Sequence, residues 1–265
     1  MKLAIPAFAI LIGSPVTIAH NAFSRLIVNG TVTPDYAYVR NTTYTPHPNI
    51  APYDRLVPYT AVTQEELDAT NITCGRDAFD AAGTTLTATV IAGEEIGFEV
   101  YNCCGLVPHI WHEGPAQAYM SAPPSGTALE KYRGDGEWFK VAYWGPTNQT
   151  HWFPKDKSQL LFKLPGNTPP GKYLLRVEQF MPLLPDYTQW YVNCAHIEVR
   201  GPGGGDPAPF TTAKFPGTYK IEHPGISLPP EVGIARPEDP TPAYPYAFLN
   251  LTAYQPPGPA LWTGQ

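Results

Sequence analysis

The chain has 265 residues, of which 15% are charged, and its net charge is −6. That balance excludes a generally basic surface of the kind that grips nucleic acid, and beyond residue 19 no apolar run is long enough to span a bilayer. With 32 prolines, 23 glycines and 16 tyrosines, the composition points to a loop-heavy, all-β protein.

Residues 1–19 read as a secretory signal. Lys2 supplies a positive charge, residues 3–13 are apolar, and Thr17 and Ala19 are the small residues at the −3 and −1 positions of a cleavage site. Cleavage after Ala19 makes His20 the first residue of the mature chain. Such a histidine offers two nitrogens, its ring and its α-amine, and the amine has a pKa of only about 7.7–8.0. An amine–imidazole chelate suits copper(II), which favours square-planar nitrogen sites. Residues 20–265 are then expected to form a single domain in a secreted, extracellular protein. Sequons at Asn29, Asn41, Asn71, Asn148 and Asn250 fit a glycosylated secretory chain.

Residues 22–32 carry a strand and hairpin signal around Asn29-Gly30. Residues 36–59 are irregular and rich in proline and tyrosine, a loop length that is usually functional or disordered. A brief helical turn is expected over 64–68. Strands are expected over 85–90 and 96–101, the second alternating Ile96, Phe98 and Val100 on one side. A dense segment follows, with His109, Trp111, His112, Glu113, Gly114 and Pro115. Further strands are expected over 138–141, 160–164, 173–178 and 190–199. A Gly/Pro run over 201–209 leads into a Pro/Tyr-rich carboxy-terminal arm. Seven or eight short strands with turns between them predict an antiparallel, immunoglobulin-like or fibronectin-like β-sandwich with long loops. An oxidising compartment favours at least one disulfide among Cys74, Cys103, Cys104 and Cys194. The residues alone leave three pairings open.

The chain lacks a His-Glu-x-x-His helix, a Cys-x-x-Cys pair, a Gly-x-Ser-x-Gly elbow and a phosphate-binding glycine loop. It carries instead an ordered series of blocks. His20 follows the cleavage site, and Cys74 ends an Asn-Ile-Thr-Cys segment. His112-Glu113-Gly114-Pro115 is followed by Tyr119, and Trp138-Phe139-Lys140 comes next. Then follow the strand Pro170-Gly171-Lys172-Tyr173-Leu174-Leu175-Arg176 and the block from Gln189 through Tyr191 to Cys194. Phe215-Pro216-Gly217-Thr218-Tyr219, Pro224-Gly225-Ile226 and Pro257-Gly258-Pro259 before Trp262 complete the series. In this combination the chain resembles the fungal lytic polysaccharide monooxygenases of auxiliary activity family nine, over nearly all of residues 20–265.

The resemblance implies a β-sandwich with one copper ion per chain on a flat face. His20 binds it through amine and ring, His112 adds the third nitrogen, and Tyr191 lies on the axial side. Gln189 hydrogen-bonds the oxygen co-substrate, and Cys74 pairs with Cys194. The implied reaction is oxidative cleavage of glycosidic bonds in cellulose or a related β-glucan. It uses oxygen or hydrogen peroxide and an external electron donor, with no nucleic acid or membrane partner. Tyr53, Tyr59, Tyr244 and Tyr254 are candidates for stacking on sugar rings. The chain departs from the family pattern in two places. Where a segment resembling His-Glu-Ile-Ile-Ala-Leu-His is expected, residues 177–183 place Val177 and Leu183 at the two histidine positions. Leucine cannot donate a hydrogen bond, and outer-shell losses cost about 10–100-fold in metal affinity or activity. Gln179 and His109 are nearby donors that could be recruited instead. Ala122 also stands where a second disulfide would have its cysteine. Two other readings stay open: a secreted copper-binding protein on the same scaffold with weak or no oxidative activity, and a metal-free sugar-binding sandwich.

Overall fold

The computed structural model describes residues 21–43, 61–101, 108–182, 188–235 and 246–265. Strands β1 (Arg25–Val28) and β2 (Thr31–Val32) form the first hairpin. Asn29 and Gly30 turn it with φ of 48° and 72°, the pair of left-handed conformations that a two-residue hairpin of this hand requires. Then follow β3 (Val62–Thr63), the short helix α1 (Asn71–Cys74), β4 (Ala88–Ile91), β5 (Glu95–Glu99), β6 (Ala116–Ser121), β7 (Phe139–Trp144) and β8 (Gln159–Lys163). Two long strands, β9 (Gly171–Met181) and β10 (Gln189–Arg200), precede a small hairpin of β11 (Gly233–Ala235) and β12 (Tyr246–Phe248).

The strands make two sheets, β2-β1-β5-β8 and β3-β10-β9-β6-β7, with β4 also paired to β10. Every pairing is antiparallel except β4 with β10, which is parallel. The expected antiparallel sandwich is therefore present, with one parallel edge pair. Phe23, just ahead of β1, and Leu26, Ile96 and Phe98 of the smaller sheet pack with Leu175, Val177, Tyr191 and Ala195 of the larger one. The alternate residues of the same strands, Leu174, Phe180, Trp190, Val192 and Cys194, form a second core with Trp138, Phe215 and Tyr219. The larger sheet is thus buried on both faces, its outer face lying under loops and the carboxy-terminal arm.

Double burial explains why β6 escapes a search for alternation. All six of its residues are buried, Gln117 and Ser121 included, so no polar face marks it as a strand. The β11–β12 hairpin in the arm is likewise unmarked in the sequence. On the outer face, Arg176 and Glu178 form an ion pair of 2.8 Å with no exposure. The Glu178 carboxylate also accepts from Gln117 at 3.1 Å and from the Tyr219 hydroxyl. The Lys140 ammonium donates to the Pro257 carbonyl at 2.9 Å, which ties the arm to β7. Cys74 and Cys194, 120 residues apart, are joined in the disulfide that the resemblance implied.

Candidate metal centre

β9 and β10 leave the sandwich together at one end, where Gln179 faces Tyr191 and Met181 faces Gln189. Against this end lies the segment between β5 and β6 that carries His112. Its placement follows from Gly114. A Cβ there would stand 1.9 Å from the Phe180 carbonyl oxygen, and φ is +143°. Only glycine lets the chain press this closely onto β9. The contact is closed by the Phe180 N–H, which donates to the Pro115 carbonyl at 3.2 Å. On its other side the segment is strapped to residues 154–157. Ile110 N–H donates to the Lys157 carbonyl at 2.8 Å, and Asp156 N–H to the Ile110 carbonyl at 2.9 Å.

These constraints bring together three residues that the sequence nominates. The His112 ring stacks on Tyr191 at 5.5 Å between centroids with 21° between planes. The Tyr191 hydroxyl donates to Gln189 Oε1 at 2.7 Å. With its oxygen so engaged, the Gln189 amide turns its NH2, a donor, away from the tyrosine. Tyr191 itself is fully buried, while Gln189 is partly exposed. Residues 22 and 23 are tied to the same region. Tyr101 N–H donates to the Ala22 carbonyl at 2.7 Å, and Phe23 N–H donates to Asn193 Oδ1 at 2.9 Å. Asn193 lies two residues beyond Tyr191 on the same side of β10.

Burial pushes the Glu113 carboxyl up from its ordinary value; Lys155 works against this and Asp156 with it. Among the described residues no three His, Cys, Asp or Glu side chains gather into a metal-holding cluster. The expected nitrogen site accordingly depends on His20, which lies outside the described residues, as do Tyr53, Tyr59, Tyr244, Cys103, Cys104 and Leu183.

Tyr254 calls for a correction. It is only 9% exposed, its ring meets Trp152 at 4.8 Å, and its hydroxyl donates to the Gly225 carbonyl at 2.8 Å. It belongs to the packing of the arm and has no ring face to offer a sugar. His196 is also internal: fully buried, it accepts from Arg40 Nε at 2.9 Å. Two aromatic residues without a place among the sequence candidates lie here, Phe153, 39% exposed on the strapped loop, and Trp111, whose ring meets that of His109 at 5.4 Å. The position of Trp111 immediately before His112 was the available clue.

Comparison with known proteins bears on the whole chain. The model of Auxiliary Activity family 9 (formerly GH61) matches residues 20–236. The AA9 family lytic polysaccharide monooxygenase U of Thermothielavioides terrestris is 44% identical over 265 residues, covering 100% of both chains. The AA9 family lytic polysaccharide monooxygenase G of Aspergillus tamarii is 32% identical over 274 residues, covering 100% of this chain and 72% of that one. Among solved structures, CvAA9A superposes with a TM-score of 0.65 at 22% identity, covering 93% of this chain and 99% of that one. The extended catalytic domain of the LPMO9A of H. jecorina gives a TM-score of 0.65 at 21% identity, covering 93% and 94%. At these identities the superpositions bear on the fold.

Proposed function

The chain belongs to Auxiliary Activity family 9, and from that premise we propose that it is a copper-dependent lytic polysaccharide monooxygenase acting on cellulose or a related β-glucan. The observation that carries this reading is the His112–Tyr191 stack with Tyr191 hydrogen-bonded to Gln189, in a corner to which Phe23 is anchored. His20 is three residues from the Phe23 anchor, a span of at most about 10 Å. The donor set of the proposal is then neutral: an amine and an imidazole from His20, the imidazole of His112, and the phenol of Tyr191. Nitrogen donors of this kind suit copper, so the residues present fit the group. When bound, copper supplies the one-electron chemistry that activates oxygen or peroxide, with electrons from an external donor.

The protein's own part is placement. His112 would hold the ion from a segment clamped to β9 and to residues 154–157. Tyr191, with its buried ring, would bound the inner side of the site and restrict water there. The Gln189 NH2 is available to donate to the co-substrate from the partly exposed side. Trp111, adjacent to His112 in sequence, and the exposed Phe153 join Tyr53, Tyr59 and Tyr244 as proposed sugar contacts, and secretion as a processed, glycosylated chain belongs to the same proposal. A second reading, a copper-binding relative with weak or no oxidative activity, draws on Leu183 at the position of the pattern's second histidine.

The experiment uses protein secreted with its own leader and checked by mass spectrometry to begin at His20. Copper-loaded enzyme with cellulose and ascorbate is expected to release soluble oxidised oligosaccharides, and His112→Ala to abolish them. Tight copper binding without oxidised products on several glucans would establish the second reading instead.

A further inference from the structure

We propose that Gln179 is the positioning residue of the metal-binding His112, an inference that rests on the copper reading above. Gln179 is fully buried on β9, directly opposite Tyr191 on β10 and Ala116 on β6. Its Nε2 donates to the His112 carbonyl at 3.3 Å and to the Phe180 carbonyl at 3.2 Å. The second acceptor is the same carbonyl against which Gly114 is pressed. One amide therefore grips both sides of the contact that seats the His112 segment, and it does so beside the tyrosine on which the His112 ring stacks.

The other half of the amide shows that packing is not the reason for a glutamine here. Gln179 Oε1 is buried with no hydrogen-bond partner. A buried acceptor without a donor is uncommon and calls for an explanation. The side chain lies on the side of β9 that carries Leu175 and Val177, where an aliphatic residue would leave no acceptor unanswered. In the family pattern set beside residues 177–183, the corresponding position is an isoleucine. The glutamine thus replaces a good packing residue, and what it adds is the NH2 grip on the His112 backbone. Fixing a ligand's backbone fixes the direction from which its ring nitrogen meets the ion. Partners of this kind change metal affinity by about 10–100-fold when they are lost.

The test compares wild type with Gln179→Leu and Gln179→Met, all processed to begin at His20. Three quantities are read: the melting temperature of the metal-free protein, the copper(II) dissociation constant by calorimetry, and the copper(II) electron paramagnetic resonance spectrum. The expected result is a near-native melting temperature in at least one variant, with copper binding weakened about tenfold and a shifted spectrum. Wild-type affinity and spectrum in a folded variant would overturn the proposal. Unfolding of both variants would also overturn it, because it would make the role merely structural. A wild-type chain that takes up no copper would sink the copper reading and this inference together. Copper binding by wild type with unaltered variants would sink this inference alone.

Discussion

Glu178 and Gln179 are neighbours on β9, both fully buried, and they face opposite sides of the same sheet. Under the arm, a full charge is matched by a full charge. Glu178 meets Arg176 at 2.8 Å and gathers Gln117 and the Tyr219 hydroxyl around it. Burial and the Glu178 carboxylate together push the Tyr119 and Tyr219 phenols well above their ordinary range. On the other side stand an amide at Gln179, a phenol at Tyr191 and the imidazole of His112. Glu113, the carboxyl next to that imidazole, is pushed toward its neutral form by burial. One strand thus seals ionic groups on the side that holds the arm. On the side that faces the proposed metal it presents the amide of Gln179.

The contrast is broken most strongly at Glu178. Glu178→Ala strands the buried Arg176 charge and removes the acceptor of two further donors. Breaking a buried pair from one side costs about 3–5 kcal/mol. The expected fall in melting temperature is on the order of 10 °C, with copper affinity unchanged in whatever folds. A variant that keeps its melting temperature but loses copper would mean that the two sides are not separable. His196, on the arm side of β10, gives a graded version of the same test. Burial, assisted by the Arg40 charge, lowers its pKa from 6.5 to about 3. Below pH 6.5 the unfolded chain takes up a proton that the folded chain refuses until about pH 3. Stability therefore falls as the pH drops through that window, by up to about 1.4 kcal/mol per unit. His196→Gln keeps an acceptor for Arg40 and should flatten that part of the profile in denaturant titrations between pH 4 and 7. An unchanged slope would assign the acid sensitivity to other groups.

The two sides were not equally legible in the sequence. The site residues His112, Gln189 and Tyr191 stand in compact blocks, because adjacent positions on one strand and one glycine-bearing turn must meet. The sandwich was legible wherever one side of a strand is polar, as in β4, where burial alternates. β6 was not, because burial on both sides erases the alternation that a sequence search relies on. Tyr254 illustrates a second loss. A tyrosine in a proline-rich arm reads the same whether its ring faces solvent or packs on Trp152, and only the fold of the arm decides. Gln179 illustrates a third. Its partners are backbone carbonyls, one of them 67 residues away in sequence, and carbonyl acceptors leave no trace in residue identity.

The finest division between the sides is a single hydroxyl. Tyr191→Phe keeps the ring on which His112 stacks and removes the donor to Gln189. A hydrogen bond of this kind contributes about 0.5–1.5 kcal/mol, so the melting temperature should fall by no more than about 5 °C. Yet the Gln189 amide loses the contact that fixes which of its ends faces outward, and the proposed metal site loses its phenol. The yield of oxidised oligosaccharide should therefore drop about tenfold or more, out of proportion to the stability change. Tyr254→Phe is the matched control. That tyrosine is also buried and its hydroxyl donates to a carbonyl, that of Gly225 at 2.8 Å, but it packs in the arm. It should lose similar stability and keep its product yield. If the two variants lose yield equally, stability alone sets the yield, and the hydroxyl of Tyr191 has no part in the chemistry beyond holding the fold.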